Sequence, residues 1–291
     1  MVYKTEYAKY LDLFNTELNL AIRYLSCADI PSVLKNAMLY SIEGGGKRVR
    51  PVLCLATAEM LGADLNRVKK FAVAIEMIHS YSLVHDDLPS MDNDDFRRGK
   101  LSTHKKFGEA MGVLTGDALL NYAFEYCLNK TDFDINDVSA LKILAESAGS
   151  KGMIAGQVYD MINENCESYS EDDLYKIYNK TTKLLTAPLL IASVLANEKH
   201  YNDLQELGFH LGVLFQIVDD IMDVECTLTE IGKSPNKDEK DGKLTAIKVF
   251  GLDGAKEKAK EHYCVCKNIL SKIDNASFLS SFIDAMYLRR K

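Results

Sequence analysis

Apolar residues recur every three or four positions along most of the chain, and no sustained alternation of β-branched and polar residues interrupts them. The clearest stripe begins at Leu65 and steps by threes and fours through Val68, Ala72, Ile75, His79, Ser82 and Asp86. This spacing lines one face of an α-helix. Because the stripe starts apolar, turns polar at His79 and ends on a carboxylate, it predicts a buried helix whose end opens into a polar cavity.

The same periodicity predicts further helices, which are separated by glycine, proline and polar segments. One begins near Pro31, a favourable first-turn residue, and stops at Gly44-Gly45-Gly46. The others span about residues 3–24, 52–61, 109–129, 138–149, 171–196, 204–225, 255–272 and 277–288, and Pro188 is expected to kink its helix. Residues 229–244 are polar and rich in glycine and lysine, which predicts a mobile loop. The pattern favours an all-α fold of roughly ten helices in one domain covering residues 1–291.

Composition narrows the class of protein. The chain has 291 residues, 47% of them hydrophobic, and a net charge of −7, which argues against nucleic-acid binding because phosphate attraction dominates that affinity. It has seven cysteines, an odd number with no CxxC pair, which predicts free buried thiols in a reducing cytosol and argues against a zinc site. No signal-peptide core begins the chain, and no stretch approaches the roughly 20 apolar residues of a membrane span. We therefore expect a cytoplasmic protein.

Two acidic clusters lie on apolar segments far apart in the chain. The first runs from Asp86 to Asp92 (DDLPSMD) and the second from Asp219 to Asp223 (DDIMD). Carboxylates this dense repel one another and are costly in a half-apolar setting unless cations lie between them. Mg²⁺ is commonly bound by one or two carboxylates together with substrate phosphates. The two clusters predict that the chain holds Mg²⁺ against a phosphorylated substrate from two sides.

The two clusters differ in spacing. Asp219 and Asp223 are four residues apart, on one face of a helix, and Asp220 flanks them. Asp86 and Asp92 are six apart, which a regular helix does not align, but Pro89 breaks the helix and allows the chain to turn back. A solvated acidic helix end is the alternative for either cluster, and it is weaker for two clusters that each follow an apolar helix.

Basic residues lie where a phosphate site would need them. The segment from Gly44 to Pro51 (GGGKRVRP) joins one predicted helix to the next, and it combines glycines, a helix start and the cations Lys47 and Arg50. The alternative is an ordinary basic surface turn. For His79, the alternative is an ordinary core histidine. The other candidate cations would otherwise be solvated surface residues: Arg97, Arg98, Lys180, Lys233 and Lys243.

Together these segments resemble the trans-isoprenyl diphosphate synthases, the farnesyl/geranylgeranyl diphosphate synthase family. The resemblance extends from about Ile42 to Leu252. It rests on GGKRVRP (45–51), IHSYSLVHDDLPSMD (78–92), DDFRRG (94–99), GDALL (116–120) and FQIVDDIMD (215–223). The resemblance implies a bundle of helices around a central cavity, usually a homodimer. It also implies a Mg²⁺-dependent prenyltransferase that joins isopentenyl diphosphate head-to-tail to dimethylallyl or geranyl diphosphate.

The resemblance implies a role for each matching position. The metal ligands, for three Mg²⁺ ions per active site, would be Asp86, Asp92, Asp219, Asp220 and Asp223. Isopentenyl diphosphate would be held by Lys47, Arg50, His79 and Arg98. The allylic diphosphate would be held by Arg97, Lys180, Lys233 and Lys243, with Thr181 and Gln216 facing the reacting carbons. Lys180, Thr181 and Gln216 would thus be the catalytic side chains. The segment after Lys243 lacks the proline common in the family, so it departs from the pattern there.

Product length is expected to follow the depth of the cavity. Tyr81 lies five residues before Asp86, about 7 Å down a helix, and its ring would floor the pocket, whereas the neighbouring Ser82 adds no obstruction. The resemblance then implies farnesyl diphosphate (C15), with geranylgeranyl (C20) or geranyl (C10) diphosphate as the alternative. The alternative for Tyr81 is simple packing between helices.

Three rival functions share some of these features. A metal-dependent phosphohydrolase would fit the His85-Asp86 pair, but it needs several further histidines, and the chain has six in all. A terpene cyclase would not need a second diphosphate site, which Lys47, Arg50 and Arg98 suggest. A non-catalytic subunit of a heteromeric synthase would be expected to lose one acidic motif.

Overall fold

The computed structural model describes residues 2–129, 133–164, 166, 168–225 and 242–288. The chain divides into two compact units, residues 1–141 and residues 142–291, which we call the N-terminal and the C-terminal unit. Lys233, Cys226 and most of the predicted 229–244 loop lie outside the described residues. The prediction of an all-α fold is confirmed, since helices make up nearly all regular structure in the described part of the chain.

The N-terminal unit is built around one buried helix. Its elements are α1 (Val2–Cys27), α2 (Ser32–Ile42), α3 (Val49–Leu61), α4 (Leu65–Asp86), β1 (Phe96–Arg97), β2 (Lys100–Leu101), α5 (Thr103–Phe107), α6 (Glu109–Leu128) and the first half of α7 (Ile135–Ala148). Helix α4 packs against α1, α2, α3 and α6. Every side chain from Phe71 to Ile78 is buried.

Helix α4 follows the predicted stripe closely. Asp64 caps its first turn by accepting a hydrogen bond from the Asn66 amide at 3.0 Å. Val68, Ala72 and Ile75 are fully buried, and burying a residue such as Ile75 contributes roughly 2 kcal/mol. The helix ends at Asp86, so the core of the unit holds the first acidic motif in place.

The C-terminal unit contains the rest of α7, α8 (Met153–Ile162), α9 (Glu171–Leu195), α10 (Tyr201–Glu225), α11 (Ala246–Leu270) and α12 (Ser277–Tyr287). Helix α10 packs against both α9 and α11. A Cβ placed on Gly212 would lie 2.6 Å from the Cα of Thr182, so glycine at this position lets α10 approach the α9 backbone closely. Ser170 and Asp173 form a capping box that fixes the start of α9.

Four features differ from the sequence prediction. The hairpin of β1 and β2 and helix α5 were not predicted, because each is too short for a periodic signal, and the ten-residue helix α8 was also missed. Helix α11 begins at Ala246 rather than near Ala255, and it continues across a break at Gly251 (φ 68°, ψ 169°) that the pattern hid. Pro188 lies inside α9, and the kink expected there stays a prediction.

The cysteines are only partly as predicted. The six in the described residues form no disulfide with one another, but Cys27 and Cys264 are exposed rather than buried, because they lie on the outward faces of α1 and α11. In the part of the chain that the structure describes, no helix has the length and hydropathy needed to cross a membrane. The single domain covering residues 1–291 stays a prediction.

Candidate active site

The first acidic motif lies where α4 ends and the chain reverses. The amide of Leu88 donates to the His85 carbonyl at 3.1 Å, and the amide of Asp92 donates to the Asp86 carbonyl at 2.9 Å. This backbone hydrogen bond brings residues 86 and 92 side by side, which confirms the turn predicted at Pro89. The carboxylate of Asp92 is exposed and that of Asp86 is half-buried. Both side chains therefore stand at the rim of the unit.

Asp87 has a different environment from its neighbours. It is only 2% exposed, and Arg97 donates to its Oδ1 through Nε at 2.8 Å and also through Nη2. Burial raises the pKa of Asp87, and the Arg97 guanidinium opposes that rise. Arg97 also contacts Asp94 Oδ2 at 3.3 Å. The predicted diphosphate ligand Arg97 is thus fixed by Asp87 of the motif and by Asp94, which follows the motif.

His85 anchors the end of α4 to α6. Its Nε2 lies 3.0 Å from the carbonyl oxygen of Val113. A Cβ on Gly116 would lie 2.0 Å from His85 Nε2, so only glycine leaves room for the ring at this position. His85 is therefore used in packing beside the motif, which weakens the phosphohydrolase alternative.

An ion pair that the sequence analysis missed fixes the basic segment. Arg48 adopts a left-handed conformation (φ 53°) just before α3, and its Nη1 donates to Glu76 Oε1 at 2.6 Å in the core. Its Nη2 donates to the Ile42 carbonyl at 2.7 Å. The available signal was Glu76 itself, a lone carboxylate inside the apolar run of α4. This pair fixes the loop that carries Lys47 and the start of α3, where Arg50 lies.

Arg50, His79 and Arg98 form a cationic cluster with an unused hydrogen-bond donor. The buried Nε of Arg50 has no partner among the described residues. Burial, together with the nearby Arg98, lowers the pKa of Arg50 to about 10. Burial first, and then Arg50 and Arg98, hold the pKa of His79 well below its usual value, so the imidazole is neutral. A buried guanidinium donor aimed at no protein acceptor is suited to an anion.

The hairpin between β1 and β2 places Arg98 in this cluster. Arg98 and Gly99 both have positive φ, 53° and 76°, as a type I′ turn requires. Arg98 donates through Nη1 to the Gly45 carbonyl, and a Cβ on Gly46 would lie 2.7 Å from its Cζ. Glycine at position 46 therefore lets the guanidinium lie against the backbone. Lys47 is exposed on the same loop.

Tyr81 packs one turn and a half below Asp86. It is 5% exposed, and its ring lies edge-on to His85 with centroids 5.7 Å apart. Its hydroxyl has no hydrogen-bond partner among the described residues, and burial followed by Asp86 raises the pKa of Tyr81 to about 12. Ser82 is half-buried and donates to the His79 carbonyl at 3.0 Å.

The second acidic motif lies within α10. Asp219 is exposed and Asp223 is half-buried on the same face, whereas Asp220 is only 7% exposed. Oδ2 of Asp220 accepts hydrogen bonds from the Tyr178 hydroxyl at 2.6 Å and from the Ala246 amide at 2.7 Å. These two donors occupy the oxygen, so metal binding by Asp220 is limited to its Oδ1.

Helix α9 carries two of the three predicted catalytic residues, Lys180 and Thr181, and α10 carries the third, Gln216. Lys180 forms an ion pair with Asp160, a buried carboxylate on α8 that the sequence analysis missed. A Cβ on Gly156 would lie 2.2 Å from the Lys180 amide nitrogen, so the spacing of Gly156 and Asp160 was the available signal. Thr181 and Gln216 are half-buried, as is Lys243 just before α11.

The donor set of both motifs fits Mg²⁺. Within the described residues, no three histidine, cysteine or acidic side chains form a preassembled metal site. Mg²⁺ does not require one, because it keeps several waters and takes one or two carboxylates together with substrate phosphates. The accessible ligands here are hard carboxylate oxygens, which is the type that Mg²⁺ prefers.

Comparison with known proteins gives a consistent result. The family model described as polyprenyl synthetase matches residues 31–277. The chain is 43% identical to a farnesyl diphosphate synthase of Geobacillus stearothermophilus over 87% of this chain and 86% of that protein. It is 45% identical to geranylgeranyl pyrophosphate synthase 4 of Arabidopsis thaliana over 78% of this chain and 62% of that protein.

A solved structure is similar over nearly the full length. It is a geranyltransferase from Helicobacter pylori, complexed with magnesium and isoprenyl diphosphate, with 32% identity and a TM-score of 0.77. The match covers 95% of this chain and 96% of that chain. The fold of the described residues is therefore one that also occurs in a prenyl-transferring protein.

Proposed function

The chain belongs to the polyprenyl synthetase family, and on this basis we propose that it is a Mg²⁺-dependent trans-prenyltransferase. It condenses isopentenyl diphosphate head-to-tail with dimethylallyl or geranyl diphosphate to give farnesyl diphosphate. The observation that carries this proposal is the cluster of Arg50, His79 and Arg98, in which the buried Arg50 Nε has no partner among the described residues, and this supports a diphosphate site in addition to the one at the acidic motifs. A terpene cyclase ionises a single diphosphate and has no use for such a cluster.

In this proposal, Lys47, Arg50, His79 and Arg98 bind isopentenyl diphosphate. The guanidinium groups offer paired donors, and neutral His79 adds a hydrogen bond without adding charge. Because Arg98 is held by the Gly45 carbonyl, its orientation is set before the substrate arrives. Binding of the diphosphate therefore costs little side-chain conformational entropy in the cluster.

Asp86 and Asp92 of the first motif, and Asp219, Asp220 and Asp223 of the second, would be the ligands of the Mg²⁺ ions, three per active site, that bind the allylic diphosphate. When bound, Mg²⁺ supplies Lewis-acid stabilisation of the charge on the departing diphosphate. Arg97 and Lys180 add positive charge that Asp87 and Asp160 hold in place. Such preorganised charge needs no rearrangement as the C–O bond breaks. Lys233 and Lys243 complete the set of cations.

The carbon chemistry needs few side chains. The oxygens of Thr181 and Gln216 stabilise the allylic cation, and the isopentenyl double bond then attacks it. The proton that leaves goes to the released diphosphate, so no side-chain base is assigned. The buried apolar side chains of α4 below the first motif would exclude water, which would otherwise hydrolyse the cation. The acidic residues are thus metal ligands rather than general bases.

The C15 product rests on Tyr81, whose buried ring lies below Asp86 and is packed against His85. Geranylgeranyl or geranyl diphosphate is the alternative, and the first of these is the product named for the plant relative. Ser82, which is next to Tyr81 in the chain, is too small to close the pocket.

We include a homodimer and a cytoplasmic location in the proposal. Helix α6 exposes Val113 and Leu114 at 44% and 52%, and apolar side chains in adjacent positions are typical of a subunit interface. The six described cysteines form no disulfide, which suits a reducing compartment. Light scattering after gel filtration tests the dimer, because a monomer at micromolar concentration would contradict it.

The function is tested by incubating the purified protein with Mg²⁺, isopentenyl diphosphate and dimethylallyl diphosphate. The products are dephosphorylated and sized by chromatography, with EDTA as the control. We expect a C15 alcohol in the presence of Mg²⁺ and none with EDTA. A C20 or C10 product would support the alternative chain lengths, and no condensation product at all would reject the proposed function.

A further inference from the structure

One carboxylate joins α9 and α10, which carry proposed substrate-binding residues, to the start of α11, which follows Lys243. Asp220 on α10 accepts a hydrogen bond from Tyr178 on α9 and another from the amide of Ala246, the first residue of α11. Tyr178 is two residues before Lys180, Asp220 follows Asp219 directly, and Ala246 comes three residues after Lys243. Within the C-terminal unit, the network thus links the three backbone segments that carry Lys180, Asp219 and Lys243.

Each bond of this network is physically strong. The Ala246 amide is one of the helix N-terminal donors that have no partner within the helix, and a carboxylate there also interacts favourably with the helix dipole. The side chain of Thr245 accepts from the Lys248 amide at 3.3 Å. The Ala246 amide instead donates to Asp220. The Tyr178 hydroxyl is buried with its ring, and its bond to an ionised carboxylate is charge-assisted.

We propose that Tyr178 is a positioning residue for the second acidic motif. Its hydroxyl fixes the rotamer of Asp220, and Asp220 then sets the spacing between α9, α10 and the start of α11. Asp219 and Asp223 are thereby oriented for magnesium diphosphate, and the segment that contains Lys243 is held beside them. This inference rests on the proposed function. Tyr178 acts through Asp220, because its own side chain is 2% exposed and cannot reach a substrate.

The chain offers a closely matched control. Tyr175 lies one helical turn earlier on α9, and its hydroxyl donates to Glu171 at 2.6 Å, the same length as the Tyr178 bond. Glu171 belongs to neither acidic motif. Tyr178→Phe and Tyr175→Phe each remove one hydroxyl from the same helix while retaining the ring, so a comparison of the two variants separates positioning from general packing.

The first measurement is kinetic. We expect Tyr178→Phe to raise the Mg²⁺ concentration for half-maximal activity and the KM for the allylic diphosphate by about tenfold, as for the loss of one charge-assisted hydrogen bond. The KM for isopentenyl diphosphate should stay within about twofold, because that ligand is assigned to the N-terminal unit. Tyr175→Phe should leave all three values within about twofold. Equal changes in both substrate KM values, or none, would overturn the proposal.

The second measurement needs no turnover. Mg²⁺ with inorganic pyrophosphate should raise the melting temperature of the wild type and of Tyr175→Phe, and raise that of Tyr178→Phe clearly less. Hydrogen exchange at the Ala246 amide should be faster in Tyr178→Phe alone. An undiminished thermal shift with unchanged exchange would overturn the positioning role. If the wild type binds magnesium pyrophosphate but makes no prenyl product, the proposed function fails while this inference is still tested.

Discussion

The two acidic motifs each contain one buried carboxylate, but the partner that holds it differs. Asp87 in the first motif is bound by the guanidinium of Arg97, whereas Asp220 in the second is bound by a phenol hydroxyl and a backbone amide. In both motifs the neighbouring residues that could bind metal are more accessible. The second aspartate of each Asp-Asp pair is therefore the one that anchors the motif to the core.

The two buried carboxylates accept from donors of different charge. Arg97 neutralises Asp87 by ion pairing, so the first motif presents mainly Asp86 and Asp92 to a cation. Oδ2 of Asp220 instead accepts hydrogen bonds from two uncharged groups, the Tyr178 hydroxyl and the Ala246 amide. The comparison suggests that accessible aspartates are used for metal binding and buried ones for orientation.

The largest expected effect comes from removing an accessible carboxylate. Asp86→Ala and Asp219→Ala should each lower kcat/KM about 10²- to 10³-fold, because each deletes a ligand that stabilises the leaving diphosphate. Their unfolding free energies should stay close to wild type, since neither side chain is fully buried. Asp253→Ala, an exposed change on α11, is the control. Near-normal activity in either motif variant would contradict the assignment of the accessible aspartates as metal ligands.

The next effect is on stability and compares the two buried carboxylates directly. Asp87→Asn should cost about 2–3 kcal/mol, because it leaves Arg97 without its main anionic partner. Asp220→Asn should cost about 1 kcal/mol, because the amide oxygen still accepts from Tyr178 and Ala246. Urea unfolding of both variants measures this difference. Equal losses would show that charge neutralisation does not distinguish the two motifs.

The backbone of the first motif was predictable, and its buried ion pair was not. Pro89 within an apolar helix signals a turn in the sequence alone, and the Asp92–Asp86 hydrogen bond confirms it. Nothing local marks Asp87 as buried, because its partner Arg97 reaches it through a hairpin of two-residue strands. Periodicity over so few residues carries no signal.

The second motif shows the same limit over longer distances. The spacing of Asp219 and Asp223 predicted a shared helix face, and α10 confirms that helix. The partners of Asp220 are 42 and 26 residues away along the chain, and only the packing of α9 and α11 on α10 brings them together. Glycines such as Gly212 permit that approach, but a single sequence does not say which glycine faces which helix.

A smaller effect concerns pH, because each unit holds an imidazole whose pKa is lowered mainly by burial, with a different second cause in each. Burial and arginines lower the pKa of His79, and burial and His210, whose Nδ1 is 2.8 Å away, lower that of His262 to about 4. The unfolded chain binds protons near pH 6.5, and the folded chain binds them only at lower pH. Stability is therefore fully present above about pH 6.5 and is lost as pH falls toward 4.

We expect the wild type to lose on the order of 2 kcal/mol between pH 7 and pH 5. His262→Gln should reduce that loss by removing one of the imidazoles with a lowered pKa, and His79→Gln should do the same in the N-terminal unit. Denaturant unfolding at pH 7, 6 and 5 measures the slope. A slope that both variants leave unchanged would mean that these imidazoles do not account for it.

Substitution of Tyr81, below the first motif, should change the reaction rate least. It should nevertheless change the length of the product. Tyr81→Ala removes the ring beneath Asp86 and should lengthen the product beyond C15, because the growing tail gains depth. Tyr81→Phe is the matched control: it keeps the ring and deletes a buried hydroxyl that has no partner among the described residues, so product length should not change. Chromatography of the dephosphorylated products separates these outcomes. If Tyr81→Ala still makes only the wild-type product, Tyr81 packs between helices and the chain-length limit lies elsewhere.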